Sequence, residues 1–206
     1  MRSEIDSSGQ KGRSFIEEAR RAQIMASAIE VIAEAGYAQA SLARIAAHAG
    51  ISKGVISYHF AGKDELVEQV VEHTYGAVIE HVLARMEGLT TATELLRAHI
   101  TAVAEHMREH PTQVRALGEI FTNFRSADGA LRYGMHTNED LYQGIERIFR
   151  LGQESGEFRA FDVRVMAVTQ QAAIDDMFAY WITHPGHDLD AHAAELADLM
   201  ERACRA

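Results

Sequence analysis

The stretch from Ser41 to Lys63, SLARIAAHAGISKGVISYHFAGK, leaves the chain few ways to fold. Leu42, Ile45, Ala46 and Ala49 recur at helical spacing. Ser41 precedes them as an N-cap, its hydroxyl able to accept from the free backbone donors of the first turn. Gly50 follows the last apolar position, where a left-handed residue stops a helix at least cost. Ile51 is apolar and fits between two helices, and Ser52 caps a second short helix over Lys53–Phe60. Helix, short turn containing glycine, helix is the sequence form of a helix-turn-helix, whose second helix enters the DNA major groove. That second helix crowds Lys53, Ser57, Tyr58 and His59 together, all donors to phosphate oxygens. Val55 suits a thymine methyl, and Gly54 permits close backbone approach. The other reading is a plain packing unit in which Tyr58 and His59 are simply packed.

The run Ala28, Gly36-Tyr37, Ser41, Ile45-Ala46, Ala49 to Phe60 and Lys63 to Leu66 resembles the DNA-binding head of the TetR family of transcriptional regulators. The resemblance is dense, in register, and covers roughly residues 15 to 66. Two positions depart from the family's usual pattern. Ser41 stands where threonine is usual and keeps the hydroxyl; Ser57 stands where tyrosine is usual and removes one aromatic phosphate contact. The resemblance implies a DNA-binding set of Ser41, Arg44, Ser52, Lys53, Gly54, Val55, Ser57, Tyr58, His59 and Lys63. It also implies a repressor that binds a palindromic operator as a homodimer and is released by a small-molecule effector in the second domain.

A net charge of -10 looks wrong for a DNA binder until it is divided along the chain. Residues 1–66 hold eight basic and eight acidic side chains, leaving 12 basic and 22 acidic for residues 67–206. An acidic body on a neutral head repels DNA everywhere except at the head, although acidic surface also serves plain solubility. One cysteine, Cys204, excludes an internal disulfide framework and fits a reducing cytoplasm. No run of 18 apolar residues suits a membrane span, and the polar N-terminus is not a secretory signal.

The rest of the chain reads as helices alone, so an all-α protein is expected: a polar, disordered arm over 1–13, a three-helix head over 14–62, and a ligand-binding and dimerisation domain over 63–206. Helix 1 is expected from about Ser14 to Ala35, and helix 4 from Lys63 to Met86, long enough to carry the head's motion into the body. Pro111 opens a segment over 111–126, and a long helix is expected from Ala130 to Ser155. Helix 8, about Asp162 to His184, is apolar on two sides, with Val165, Val168, Ala172 and Ala179 on the second. Leu189, Ala193, Leu196 and Met200 on helix 9 step by 4, 3 and 4, a seam for a partner helix. Val168, Ala172 and that seam are therefore expected to form a dimer interface.

Apolar walls with a few polar groups make a ligand pocket, and Ile79, Val103, Phe121, Phe124, His136, Tyr142 and Asp175 are its candidate lining. Each of these residues also suits plain core or surface. The lone tryptophan, Trp181, is expected near the pocket. His106 and His110 have a metal-ligand spacing but no third partner, and no P-loop, dinucleotide glycine pattern or nucleophile elbow occurs. Neither a metal nor a cofactor nor catalysis is expected. The rivals are a regulator without an effector, constitutive or activating, and a small all-α enzyme with a vestigial head.

Overall fold

The computed structural model describes residues 5–134 and 137–206, with side chains from residue 16 onward. Among these residues the fold is all helix, apart from two isolated bridges, Arg125 with Leu131 and Phe158 with Arg205. It divides into two units, Met1–Thr74 and Tyr75–Ala206. The division falls inside a helix, twelve residues beyond the boundary expected at Lys63.

In the first unit α1 (Ile5–Ala35) meets α2 (Leu42–His48) and α3 (Lys53–His59), and the first half of α4 (Lys63–Met86) closes the core. Ile24, Ala28, Val31 and Ile32 of α1 lose nearly all contact with solvent, as do Ile45, Ala46, Ile56, Phe60, Leu66 and Val67. α1 starts at Ile5, not Ser14, so the arm expected over 1–13 overlaps a helix over 5–13, and residues 1–4 lie outside the described chain. Gly50 adopts φ +66, the left-handed turn between α2 and α3 that a side chain would strain. Ile51 N–H then donates to Ala46 O at 3.0 Å, sealing the turn.

In the second unit α5 (Ala92–Glu109) touches α6 (Pro111–Asn123), α7 (Glu139–Ser155) and α9 (Leu189–Cys204), while α8 (Val163–Thr183) packs on α6, α7 and α9. Arg97, early in α5, pairs with Asp198 at 2.6 Å and Glu201 at 2.8 Å, late in α9; Arg108, late in α5, pairs with Asp190, early in α9. These pairs fix the two helices as antiparallel. Leu189, Ala193, Leu196 and Met200 are buried within this unit. The seam expected to face a partner chain is therefore used internally, since α9 packs chiefly on α5. The second stripe of α8 is open instead: Val165 and Ala172 are exposed and Val168 is half-buried.

α7 starts at Glu139, nine residues after its expected start. Asp128 takes Ser126 Oγ at 2.6 Å and Ala130 N–H at 3.1 Å, and Gly129 turns at φ +86, so Ala130 belongs to a tight turn and not to a helix. At the other end of α7, Gly152 carries the Phe158 ring so closely that a Cβ there would lie 2.1 Å from it.

Candidate nucleic-acid interface and effector cavity

The recognition surface is built by two caps. Ser41 Oγ accepts from Arg44 N–H at 3.2 Å and Ser52 Oγ from Val55 N–H at 3.4 Å, which fixes where α2 and α3 begin. Ile56 and Phe60 anchor α3 in the core, so the opposite side of the helix must face outward. Ser41, Arg44, Ser52, Lys53, Gly54, Ser57 and Tyr58 are all exposed, and Val55 and His59 are half-buried. Tyr58 is 75% exposed, its ring edge-on to His59 at 5.0 Å. An aromatic ring held out in water is a poor packing choice, which argues against the plain packing unit. At Gly54 a Cβ would meet only Ser52 Oγ, at an ordinary 3.6 Å. No described residue requires glycine there.

Two cations of the head are committed elsewhere. Lys63, expected at the DNA, donates to Tyr37 O at 2.5 Å and lies 3.9 Å over the Tyr37 ring; burial lowers its pKa. Arg21 donates to His59 O and sits 4.3 Å over the Phe60 ring. Both act as braces beneath α3 and leave Lys53 of α3 and Arg44 of α2 exposed.

The second unit holds a half-open cavity of about 800 Å³ among the body half of α4 and helices α5 to α8. Its wall is mostly apolar, from Val78, Val82 and Met86 to Val114, Ile148 and Ile174. Of the expected lining, Ile79, Val103, Phe121 and Asp175 face it. Phe124 and Tyr142 do not: both are buried in the core, Tyr142 beneath the Arg164 guanidinium at 5.5 Å. His136 lies outside the described residues. Trp181 does not line the cavity either, although Phe178 and Ile182 beside it do.

Apart from Asp175, the polar lining was not legible in the sequence. Tyr75, His99, Arg115, Arg147 and Gln171 all reach the cavity. Tyr75, His99 and Gln171 sit among apolar helix positions that periodicity marks only as inward, and Arg115 and Arg147 are exposed. Burial pushes His99 down to about 4, so its ring is neutral at physiological pH. Arg115 and Arg147 make no ion pair among the described residues, whereas Arg85, Arg97, Arg108, Arg150, Arg164, Arg202 and Arg205 of the same unit all do. His106 and His110 stack at 4.3 Å, and His110 Nδ1 is spent on His106 O at 2.7 Å. Among the described residues no three ligands come together for a metal.

The family model for "Bacterial regulatory proteins, tetR family" matches residues 24–70, the segment that builds this recognition surface. Over that segment the chain is a TetR-family DNA-binding head. The HTH-type transcriptional regulator BetI 2 of Chromohalobacter salexigens is 39% identical over 90 residues, 44% of this chain and 42% of that regulator. The match thus spans less than half of that relative's length. The fatty acid metabolism regulator protein of Bacillus subtilis is 27% identical over 186 residues, 86% of this chain and 92% of that one. Among solved structures, FadR of Bacillus subtilis in complex with stearoyl-CoA superposes with a TM-score of 0.77 at 25% identity, covering 86% of this chain and 96% of that one. A TetR-family regulator from Rhodococcus sp. superposes with a TM-score of 0.78 at 20% identity over 89% of this chain and 99% of that one, a likeness of fold.

Proposed function

We propose that this TetR-family protein is a transcriptional repressor that acts in the cytoplasm on an inverted-repeat operator and is released by an amphiphilic effector. The DNA half of the reading rests on α3. Lys53, Ser57 and Tyr58 stand exposed and free of the core, and Gly54 lacks a side chain where the protein itself leaves room for one. Phosphate-donating side chains around a point of close backbone approach suit a helix seated in the major groove. The neutral head and acidic body steer that helix toward DNA.

The effector half rests on one observation: an apolar cavity of about 800 Å³ that carries two arginines without an ion pair among the described residues, Arg115 and Arg147. A cavity of this size suits a drug- to lipid-sized molecule. Guanidinium groups bind phosphate and carboxylate in paired hydrogen bonds. Apolar wall plus exposed guanidinium selects a long acyl chain with an anionic head, of which an acyl-CoA thioester is the fitting class. Whole-length similarity to a fatty acid metabolism regulator, and to a relative solved with stearoyl-CoA, supports that choice.

The operator requires two heads, and the chain pairs through the open side of α8 and α9. Val165 and Leu199 are each 61% exposed there, and Tyr180 and Ala172 are exposed on the same helices. These replace the α9 seam as the contact surface of the homodimer. Selection of genomic fragments on the purified protein, followed by competition with palmitoyl-CoA, tests the whole reading. An inverted repeat that is retained, and then released by palmitoyl-CoA but not by free coenzyme A, is the expected result. Retention of an inverted repeat that no acyl-CoA releases leaves a regulator without this effector, and absence of sequence preference removes the regulator altogether.

A further inference from the structure

A cavity meant for a saturated hydrocarbon chain has no use for polar groups in its wall, yet α4, α5 and α8 all place polar groups there. Tyr75 lines the cavity with its ring against Phe121, 6.1 Å between centroids, and its hydroxyl makes no hydrogen bond to a described residue. Burial, and after it the charge of Asp175, raises the Tyr75 phenol, so the hydroxyl keeps its proton and stands near that carboxylate. Asp175 accepts from Gln171 Nε2 at 2.9 Å through Oδ1, which leaves Oδ2 open to the cavity. Burial raises the Asp175 pKa as well, against the opposing effect of the bond from Gln171.

His99 completes the set. Gln170 Nε2 donates to its Nδ1 at 3.0 Å, which puts the proton of the neutral ring on Nε2. That nitrogen bonds to no described residue, and the ring lines the cavity. These three residues offer two donors, Tyr75 O–H and His99 Nε2–H, and one acceptor, Asp175 Oδ2. A saturated chain would strip water from all three and leave them unpaired in an apolar space, which weakens binding. A hydroxyl both accepts and donates one hydrogen bond, and this set supplies the partners for each.

We infer that the effector carries a hydroxyl on its apolar chain, and that Tyr75, His99 and Asp175 select for it. This rests on the proposed acyl-thioester effector and narrows it to a hydroxylated acyl chain. A site built to hydrogen-bond a hydroxyl discriminates against the analogue that lacks it far more strongly than an apolar site discriminates by size.

The test is isothermal titration of the full chain with palmitoyl-CoA and with a set of its monohydroxylated positional isomers. At least one isomer is expected to bind about tenfold or more tightly than palmitoyl-CoA, the return on one or two well-made hydrogen bonds. Tyr75→Phe and Asp175→Asn, each confirmed folded by its melting curve, are expected to erase that preference, so that the favoured isomer binds no better than palmitoyl-CoA. If every isomer binds equally to or more weakly than palmitoyl-CoA, or if the preference survives in both variants, the hydroxyl assignment is overturned while the acyl-thioester reading stands. If no thioester binds, both fall together.

Discussion

Gly54 separates stability from function at the scale of one residue. Its Cβ position is unobstructed, so Gly54→Ala should raise the stability of the head by up to about 1 kcal/mol, through helix propensity and a less flexible unfolded chain. On the proposed seating of α3 in the major groove, the same methyl should weaken operator binding by keeping the backbone from DNA. A variant that melts higher and binds DNA unchanged would remove the glycine from the interface. Lys53→Ala and Tyr58→Ala should each cost roughly 1–3 kcal/mol of operator affinity, and Lys53→Ala should also flatten the salt dependence, because it deletes a cation that neutralises a phosphate. Lys63→Ala should instead lower the melting temperature, since its ammonium is spent on Tyr37. Ser41, Ser52 and the residues of α3 were legible because capping and apolar spacing are local. The commitment of Lys63 was not, because Tyr37 lies 26 residues away in sequence. Glu157 is another long-range case. It accepts from the backbone N–H of Thr93 and Ala92, both at 3.0 Å, and from Thr93 Oγ1 at 2.8 Å, covering the free donors at the start of α5. The bond from Thr93 N–H leads in holding its carboxyl down at about 2, below the usual carboxylate range. A depressed folded pKa gives stability that is present above the unfolded value and lost as pH falls toward the folded one. Glu157→Gln should therefore cost about 1 kcal/mol at neutral pH, by analogy with loss of a helix cap. Thermal melts should show the gap to the unaltered protein closing between about pH 4.5 and pH 2. A gap independent of pH would mean that the charge plays no part.

Helices were legible as elements wherever apolar periodicity ran between clear stops, as in α2, α5 and α8. Two ends were not. The start of α7 lies at Glu139 because Asp128 and Gly129 organise a turn that extends past Ala130, and composition alone gives no sign of how far such a turn reaches. The facing of α9 was misassigned because a heptad-like seam reads the same whether its partner helix belongs to the same chain or to another. Here α5 is that partner, pinned by Arg97 and Arg108. This distinction sets the dimer prediction. Val165→Glu with Leu199→Glu should yield a folded monomer with an intact melting curve and little operator binding, since the second head no longer acts at high effective concentration. Ala193→Glu should unfold the body, because it buries a charge beneath α9. Sedimentation velocity separates the two. A dimer that survives both exposed-face substitutions would place the interface elsewhere.

At the scale of the whole molecule α4 is the element that both units own: Lys63–Thr74 counts with the head and Tyr75–Met86 with the body. Its body half contributes Tyr75, Val78, Ile79, Val82, Leu83 and Met86 to the cavity wall. An effector changes DNA affinity only if it prefers one setting of that helix over another, and the coupling is reciprocal. The measurement that tests this most directly pairs two titrations on the selected operator fragment. One is operator Kd with and without saturating palmitoyl-CoA; the other is palmitoyl-CoA Kd with and without saturating operator. Both constants should rise by the same factor, between about 5 and 150, the range that a coupling of roughly 1–3 kcal/mol provides. Palmitoyl-CoA that occupies the cavity and leaves the operator Kd unchanged would contradict the account.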